Sequence, residues 1–374
     1  MKIPMVDLQS QYQRLKPEID AEIQKVLETS AYINGPVVHE FARDLEKYLG
    51  VKHVIPCANG TDALQVAMMG LGLKPGDEVI TTSFTFIATA EVIALLGLTP
   101  VLVDVLDDTM NIDPQAIKNA ITDKTKAIVP VHLFGQVANM EEILKIAQEH
   151  DLFVIEDNAQ AIGANYTFAD GTQKKAGAIG DVGCTSFFPS KNLGAYGDGG
   201  AIFTNDDALA EQLKVIVNHG MKVRYYHDYI GVNSRLDSIQ AGVLKVKLGH
   251  LDDFAKARNF AANYYNKAFE NCDQLITPVV ADFSDHVYHQ YTLKTIGIDR
   301  DGLNKHLLDK GIGNAVYYPV PLHMQKAYQD PRYQEGDFPV TEKLSEQVLS
   351  LPMHTEFTEE QLQYVCDAVL EFLK

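Results

Sequence analysis

The sequence predicts an α/β protein with a mostly parallel sheet, followed by a smaller α/β region at the C-terminal end. Three observations carry this. Short, nearly continuous apolar runs alternate with helical periods from residue 50 onward, the pattern of parallel strands covered on both faces. After Asp206 the pattern turns helical. A second mixed region of strand and helix signals then closes the chain.

The elements follow in order. "HVIPCAN" (53–59) reads as a buried strand and "TDALQVAMMGLGL" (61–73) as the helix after it. "GDEVITT" (76–82) is a strand, and "TFIATAEVIALLG" (85–97) a helix ended by glycine. "TPVLVDV" (99–105), "KAIVPVHLFG" (126–135) and "LFVIEDNAQ" (152–160) are further strands, with "NMEEILKIAQEH" a helix between the last two. "VGCTSFF" and "GGAIFTN" add two more strands. "DALAEQLKVIVNHG" is helical, and 234–270 reads as one long helix with a bend expected near Gly249. Then come "HQYTLKTIGI" as a strand, "DGLNKHLLDKGI" as a helix, "NAVYYP" as a strand and two closing helices. The expected division is a large domain at 1–250, including the N-terminal segment, and a small one at 251–374.

Composition narrows the function. A chain of 374 residues, 46% hydrophobic and 22% charged, has an ordinary globular balance. Its net charge of -18 argues against non-specific nucleic-acid binding. The apolar stretch Val92–Val103 contains Pro100 and is too short to span a membrane. The N-terminal stretch turns polar too soon for a signal peptide. Cys57, Cys184, Cys272 and Cys366 lie far apart, without metal-ligand spacing. The expectation is a reduced, cytoplasmic compartment. The 12 histidines form neither HxH nor HExxH, so no metal site is expected.

Four stretches carry candidate chemistry. In "SFFPSKNLGAYGDGGAIF" (186–203), Lys191 sits between an aromatic run and several glycines. A covered lysine costs free energy unless it is paired or used; lysine amines form Schiff bases with carbonyls. In "NGTDAL" (59–64) glycine turns the chain and Thr61 or Asp62 caps a helix, whose free N–H groups suit a phosphate. In "VIEDNAQAIGA" (154–164) a strand ends in Glu156 and Asp157. Strand alternation points them to opposite faces, at the sheet edge where open α/β sheets bind ligands. In "GVNSRLDSIQAG" (231–242), Asn233 or Ser234 caps a helix and Arg235 suits a phosphate or carboxylate. Taken singly, each has a plainer reading as a cap or a surface turn. Together, a phosphate cradle, a strand-end carboxylate and a covered lysine match the needs of pyridoxal 5'-phosphate, which carries a phosphate, a pyridinium nitrogen and an aldehyde.

Over nearly its whole length, from "MVDLQSQY" and "YINGPVVHEFARDLEKYLGVKHVIPCANGTDAL" to "YYPVPLH" and "LSLPMH", the sequence resembles the nucleotide-sugar aminotransferases of DegT/StrS type. That family has the aspartate-aminotransferase (fold type I) architecture. The resemblance implies that Lys191 is the Schiff-base lysine, that Asp157 partners the ring nitrogen, and that Gln160 binds the ring hydroxyl. It implies that Gly60, Thr61 and Ser186 bind the phosphate, that Phe86 stacks on the ring, and that Asn233 reaches the phosphate across a homodimer interface. Tyr32, Asn34, Arg224, Arg235, Tyr317 and His323 are the implied substrate residues.

The implied reaction moves an amino group from glutamate to a keto-sugar carried on a nucleoside diphosphate. Some family members carry histidine in place of the lysine and act as dehydratases; Lys191 favours transamination. "SFFPSKNLGAYGDGGA" resembles members that aminate C3, and "RYYHDYIGVNSRLD" leans toward a UDP-linked 2-acetamido-3-keto-hexuronate, for surface-polysaccharide (lipopolysaccharide) or amino-sugar synthesis. The alternatives are a dTDP-linked 3-keto-6-deoxyhexose and, in a different class, a non-catalytic regulatory homologue.

Overall fold

The computed structural model describes residues 1–374. A seven-stranded sheet runs in the order His53–Cys57, Gly200–Thr204, Val182–Ser186, Phe153–Asp157, Thr125–Val129, Glu78–Thr82, Thr99–Val103. The last five of these pair in parallel, while Gly200–Thr204 runs antiparallel to both of its neighbours. Most of their residues are buried, as a sheet covered on both faces requires.

This topology places the candidate residues. Cys57 and Ser186 both end their strands opposite Gly200, which begins the antiparallel one. The 187–199 connection therefore hangs at the edge where the parallel strands end. Asp157 ends its strand at the same edge, paired with Cys184.

Helices Leu8–Thr29 and Pro36–Leu49 pack through Leu15, Ile19, Phe41 and Leu45 against Phe187, Leu193, Ala241 and Leu244. The back of the 187–199 loop is thus sealed by the N-terminal helices. A separate apolar cluster gathers Tyr265, Tyr291, Leu303, Leu349 and Val365 from the C-terminal third, together with Ile3. Ile3 also pairs with Ile312.

Three expectations are corrected. The 234–270 helix is two helices, Ser238–Leu248 and Leu251–Phe269, broken at Gly249–His250, and residues 234–237 precede it. "NAVYYP" is not a strand, since only Ala315 bridges to Ser350. Tyr291–Thr295 pairs instead with the short Leu275–Ile276 on one side and with Val348–Leu351, which lies between the two closing helices, on the other.

Candidate active site

Adjacent carboxylates end the central strand and do different work. Glu156 is fully buried. It accepts from His132 Nε2 and Gly177 N at 2.8 Å, and from Ile179 N and Gly180 N at 2.6 Å. His132 Nδ1 accepts from Ala138 N at 3.2 Å, so the ring proton sits on Nε2 and points at Glu156. Asp157, on the opposite face, has only two donors. Thr89 Oγ1 reaches Oδ2 at 2.8 Å and Ala159 N reaches Oδ1 at 3.2 Å. Burial raises the Asp157 pKa above the usual carboxylate value, against the pull of these bonds and of the Lys191 charge.

Lys191 stands in the loop hung between strands Val182–Ser186 and Gly200–Thr204. Its backbone N–H donates to Phe188 O at 2.8 Å, and Ala195 N to Phe187 O at 2.8 Å. Gly194 is needed for this coil, because a Cβ there would strike the Pro189 carbonyl. The Lys191 amine has no hydrogen-bond partner. Burial lowers its pKa to about 8, with the Asp157 charge opposing. The lysine falls and the aspartate rises, so desolvation outweighs their mutual attraction at both. An amine poised near neutrality is what nucleophilic chemistry on a carbonyl needs.

The phosphate cradle is built by close approach. Helix Gly60–Gly70 is capped by Asn59, whose side chain accepts from Asp62 N at 2.8 Å; the expected Thr61 or Asp62 cap is corrected. The N–H groups of Gly60 and Thr61, in the first turn, have no intrahelical acceptor. A Cβ on Gly60 would lie 2.6 Å from Ser186 Cβ, and one on Gly200 would strike the Asn59 carbonyl. Only glycine lets the helix start and the strand end meet. Ser186 Oγ accepts from Phe188 N at 3.2 Å and keeps its own hydrogen free to donate.

Gln160 is buried, with Oε1 accepting from Phe134 N at 2.6 Å and Nε2 donating to Tyr318 OH at 3.2 Å. Phe86 leaves 55% of its surface exposed, 6.5 Å from the Tyr318 ring. These donors, the exposed ring, the carboxylate with spare capacity and the free amine fit the phosphate, ring and aldehyde of pyridoxal phosphate.

The other expected residues lie further out. Tyr32 and Asn34 are exposed just before helix Pro36–Leu49, where Ser238 N donates to Tyr32 O at 2.9 Å and Asn34 has a left-handed φ of 50°. Arg224 lies in the exposed hairpin Met221–Val223 and Tyr226–His227, its guanidinium 5.0 Å from the Tyr225 ring. Arg235 is half-buried, with Nε lacking a partner. Asn233 is exposed and its backbone pairs with Asn218. Its neighbour Ser234 accepts from Ala58 N at 3.1 Å, beside the cradle. Neither Asn233 nor Ser234 caps the helix, which starts after Asp237. Tyr317 is half-buried, 6.0 Å from Tyr318. His323 is 4% exposed and uses both ring nitrogens inside the chain, on Ser83 Oγ at 2.8 Å and Glu342 Oε1 at 3.1 Å.

Thr89 and Tyr318 are site residues that the sequence does not mark. Thr89 lies on the predicted helix after "TSFTF" and nothing local signals its bond to Asp157, 68 residues away. Tyr318 follows Tyr317 in the same stretch, and only its bond to Gln160 distinguishes it.

Sheet order and lysine-centred site together define an α/β protein of aminotransferase architecture. The chain belongs to the DegT/DnrJ/EryC1/StrS aminotransferase family, whose model matches residues 13–370. It is 48% identical over 376 residues to a pleiotropic regulatory protein of Geobacillus stearothermophilus, covering 100% of this chain and 99% of that one. It is 45% identical over 367 residues to the UDP-2-acetamido-2-deoxy-3-oxo-D-glucuronate aminotransferase of Pseudomonas aeruginosa, covering 98% and 99%. The crystal structure of S. venezuelae DesV in complex with a ketimine intermediate superposes with a TM-score of 0.95 at 40% identity, covering 100% and 99%. No helix is long and apolar enough to cross a membrane.

Proposed function

We propose that this chain is a pyridoxal-phosphate-dependent aminotransferase acting on the 3-keto group of a nucleoside-diphosphate sugar, with glutamate as amino donor. The preferred acceptor is of the UDP-2-acetamido-2-deoxy-3-keto-hexuronate type, in surface-polysaccharide or amino-sugar synthesis. The observation that carries the reading is the unpartnered Lys191 amine in the field of a buried, incompletely bonded Asp157. The 45% identity to the glucuronate aminotransferase supports the choice of acceptor.

The residues divide the work. Gly60, Thr61 and Ser186 would hold the phosphate, joined in a cytoplasmic homodimer by the partner's Asn233. Gln160 would donate to the ring hydroxyl, since its Oε1 is already committed to Phe134 N. Phe86 would cover one ring face, and Asp157 would hold the proton on the ring nitrogen. When bound, the cofactor supplies an electron-accepting ring and a carbon that carries the amino group between substrates. Lys191 would anchor it covalently and, once displaced, take the proton from the donor's α carbon through Nζ. Tyr32, Asn34, Arg224, Arg235 and Tyr317 would meet the nucleotide sugar. His323 would line the cleft without offering a nitrogen, both being engaged. The large cofactor domain would span 1–250 and the small one 251–374.

A regulatory role is the second reading, favoured by the name of the 48% identical relative. Amination of a panel of UDP- and dTDP-linked 3-keto and 4-keto sugars, read by mass spectrometry, separates them. The UDP-linked 3-keto-uronate is expected to be aminated fastest. Failure of the whole panel, with cofactor bound and glutamate present, favours the regulator.

A further inference from the structure

Lys191 is not the only lysine taken out of water. Lys247, in helix Ser238–Leu248, is 1% exposed. Its Nζ donates to the Gly194 carbonyl at 2.7 Å and sits 4.5 Å from the centre of the Tyr196 ring. No carboxylate pairs with it, and burial alone lowers its pKa to about 8. A lysine with one carbonyl and one aromatic face as partners is an expensive way to fill a core position.

What Lys247 grips is the outgoing arm of the Lys191 loop. Gln240, two helical turns before it on the same face, accepts from Tyr196 N at 2.8 Å. Directly after Lys191, Asn192 Nδ2 donates to Val287 O at 2.9 Å. The loop also coils back on its incoming arm, through Lys191 N to Phe188 O and Ala195 N to Phe187 O. The Gly194 carbonyl is buried inside the coil, three residues beyond Lys191, and Lys247 is the side chain that satisfies it.

We propose that Lys247 is a positioning residue for Lys191: its ammonium, seated on the Tyr196 ring, pins the Gly194 carbonyl and fixes the loop that presents the Lys191 amine. The role assigned to Lys191 rests on the function proposed above, but the clamp is measurable without turnover. The apolar stem of Lys247 packs like that of methionine, so Lys247→Met removes the bond and the charge while filling similar space. Tyr196→Leu removes the aromatic seat and carries the test if Lys247→Met does not fold.

Both variants are made in the full chain loaded with pyridoxal phosphate. Amide hydrogen exchange is followed in three segments, 187–199, Ser238–Leu248 and Gly200–Thr204. The clamp predicts exchange about tenfold faster in 187–199 alone, the scale of losing one buried hydrogen bond. It also predicts kcat lower by about tenfold or more, with the donor KM within about twofold, as expected when a reacting group is misplaced while substrate binding stays intact. Unchanged exchange in the loop overturns the proposal. So does faster exchange spread equally over the helix and strand, which marks ordinary structural support, or a looser loop with unchanged kcat. If the wild-type chain aminates no sugar, the exchange pattern still decides whether the clamp exists.

Discussion

Glu156 and Asp157 are neighbours on one strand, both buried, yet they face opposite environments. Glu156 has four donors, two on each oxygen, and no capacity left to meet a ligand. Asp157 has two, one on each oxygen. Lys247 and the half-buried Lys191 repeat the contrast: Lys247 is bonded to a carbonyl inside the fold, whereas the Lys191 amine has no bond. Chemical potential sits where the partner set is incomplete, and structure sits where it is full. One-residue spacing separates the carboxylates because strand side chains alternate faces.

The largest expected effect comes from removing the free amine. Lys191→Ala should still bind pyridoxal phosphate, without a covalent link, and lose turnover to background; retention of measurable transamination breaks the contrast between the lysines. Next, Asp157→Asn keeps a hydrogen bond but not the charge, and its rate should fall by about 10²-fold or more, the scale of losing one preorganised electrostatic partner. The same exchange at Glu156 sharpens the comparison. Glu156→Gln turns an amide donor toward backbone N–H groups and should destabilise by about 1–3 kcal/mol, lowering the melting temperature, while the folded fraction keeps its kcat. A rate loss at Glu156 as large as at Asp157 would mean that the partner count does not separate their roles.

A smaller effect tests the shared site. Lys191→Ala and Asn233→Ala chains, each inactive, should recover up to about a quarter of wild-type activity after subunit exchange: about half of the dimers are mixed, and one of their two sites is intact. Confirmed mixed dimers without recovery would make each site the product of one chain. The smallest effect is in pH. Lys191 and Lys247 are both held at about 8, below the usual lysine value, so the cofactor-free fold binds fewer protons than the unfolded chain between that pH and about 10. Its stability should therefore rise across pH 8 to 10 and fall as pH drops through 8. Lys247→Met should flatten that slope in thermal melts; an unchanged slope would count against a depressed Lys247.

The sequence exposed the site more readily than its supports. The strand ends at Asp157, the glycine-rich loop at Lys191 and the turn at Gly60 are local signals, because periodicity and glycine mark where an edge turns. Long-range bonds leave no such mark, which is why Thr89 on Asp157 and Lys247 on Gly194 appear only in three dimensions. Short runs misled in both directions. "NAVYYP" has strand-forming residues but no partner strand beyond one bridge, whereas Val348–Leu351 has only four residues and is hidden between two helices. The bend expected near Gly249 is a full break, because the helix Ser238–Leu248 ends at that glycine and a new one starts after His250.

Borohydride reduction of the protein loaded with pyridoxal phosphate, followed by peptide mapping, tests the central claim most directly. A pyridoxyl label is predicted on the peptide that contains Lys191 and none on Lys247, although burial depresses both amines alike. A label on any other lysine, or cofactor bound in full with no covalent label, would contradict it.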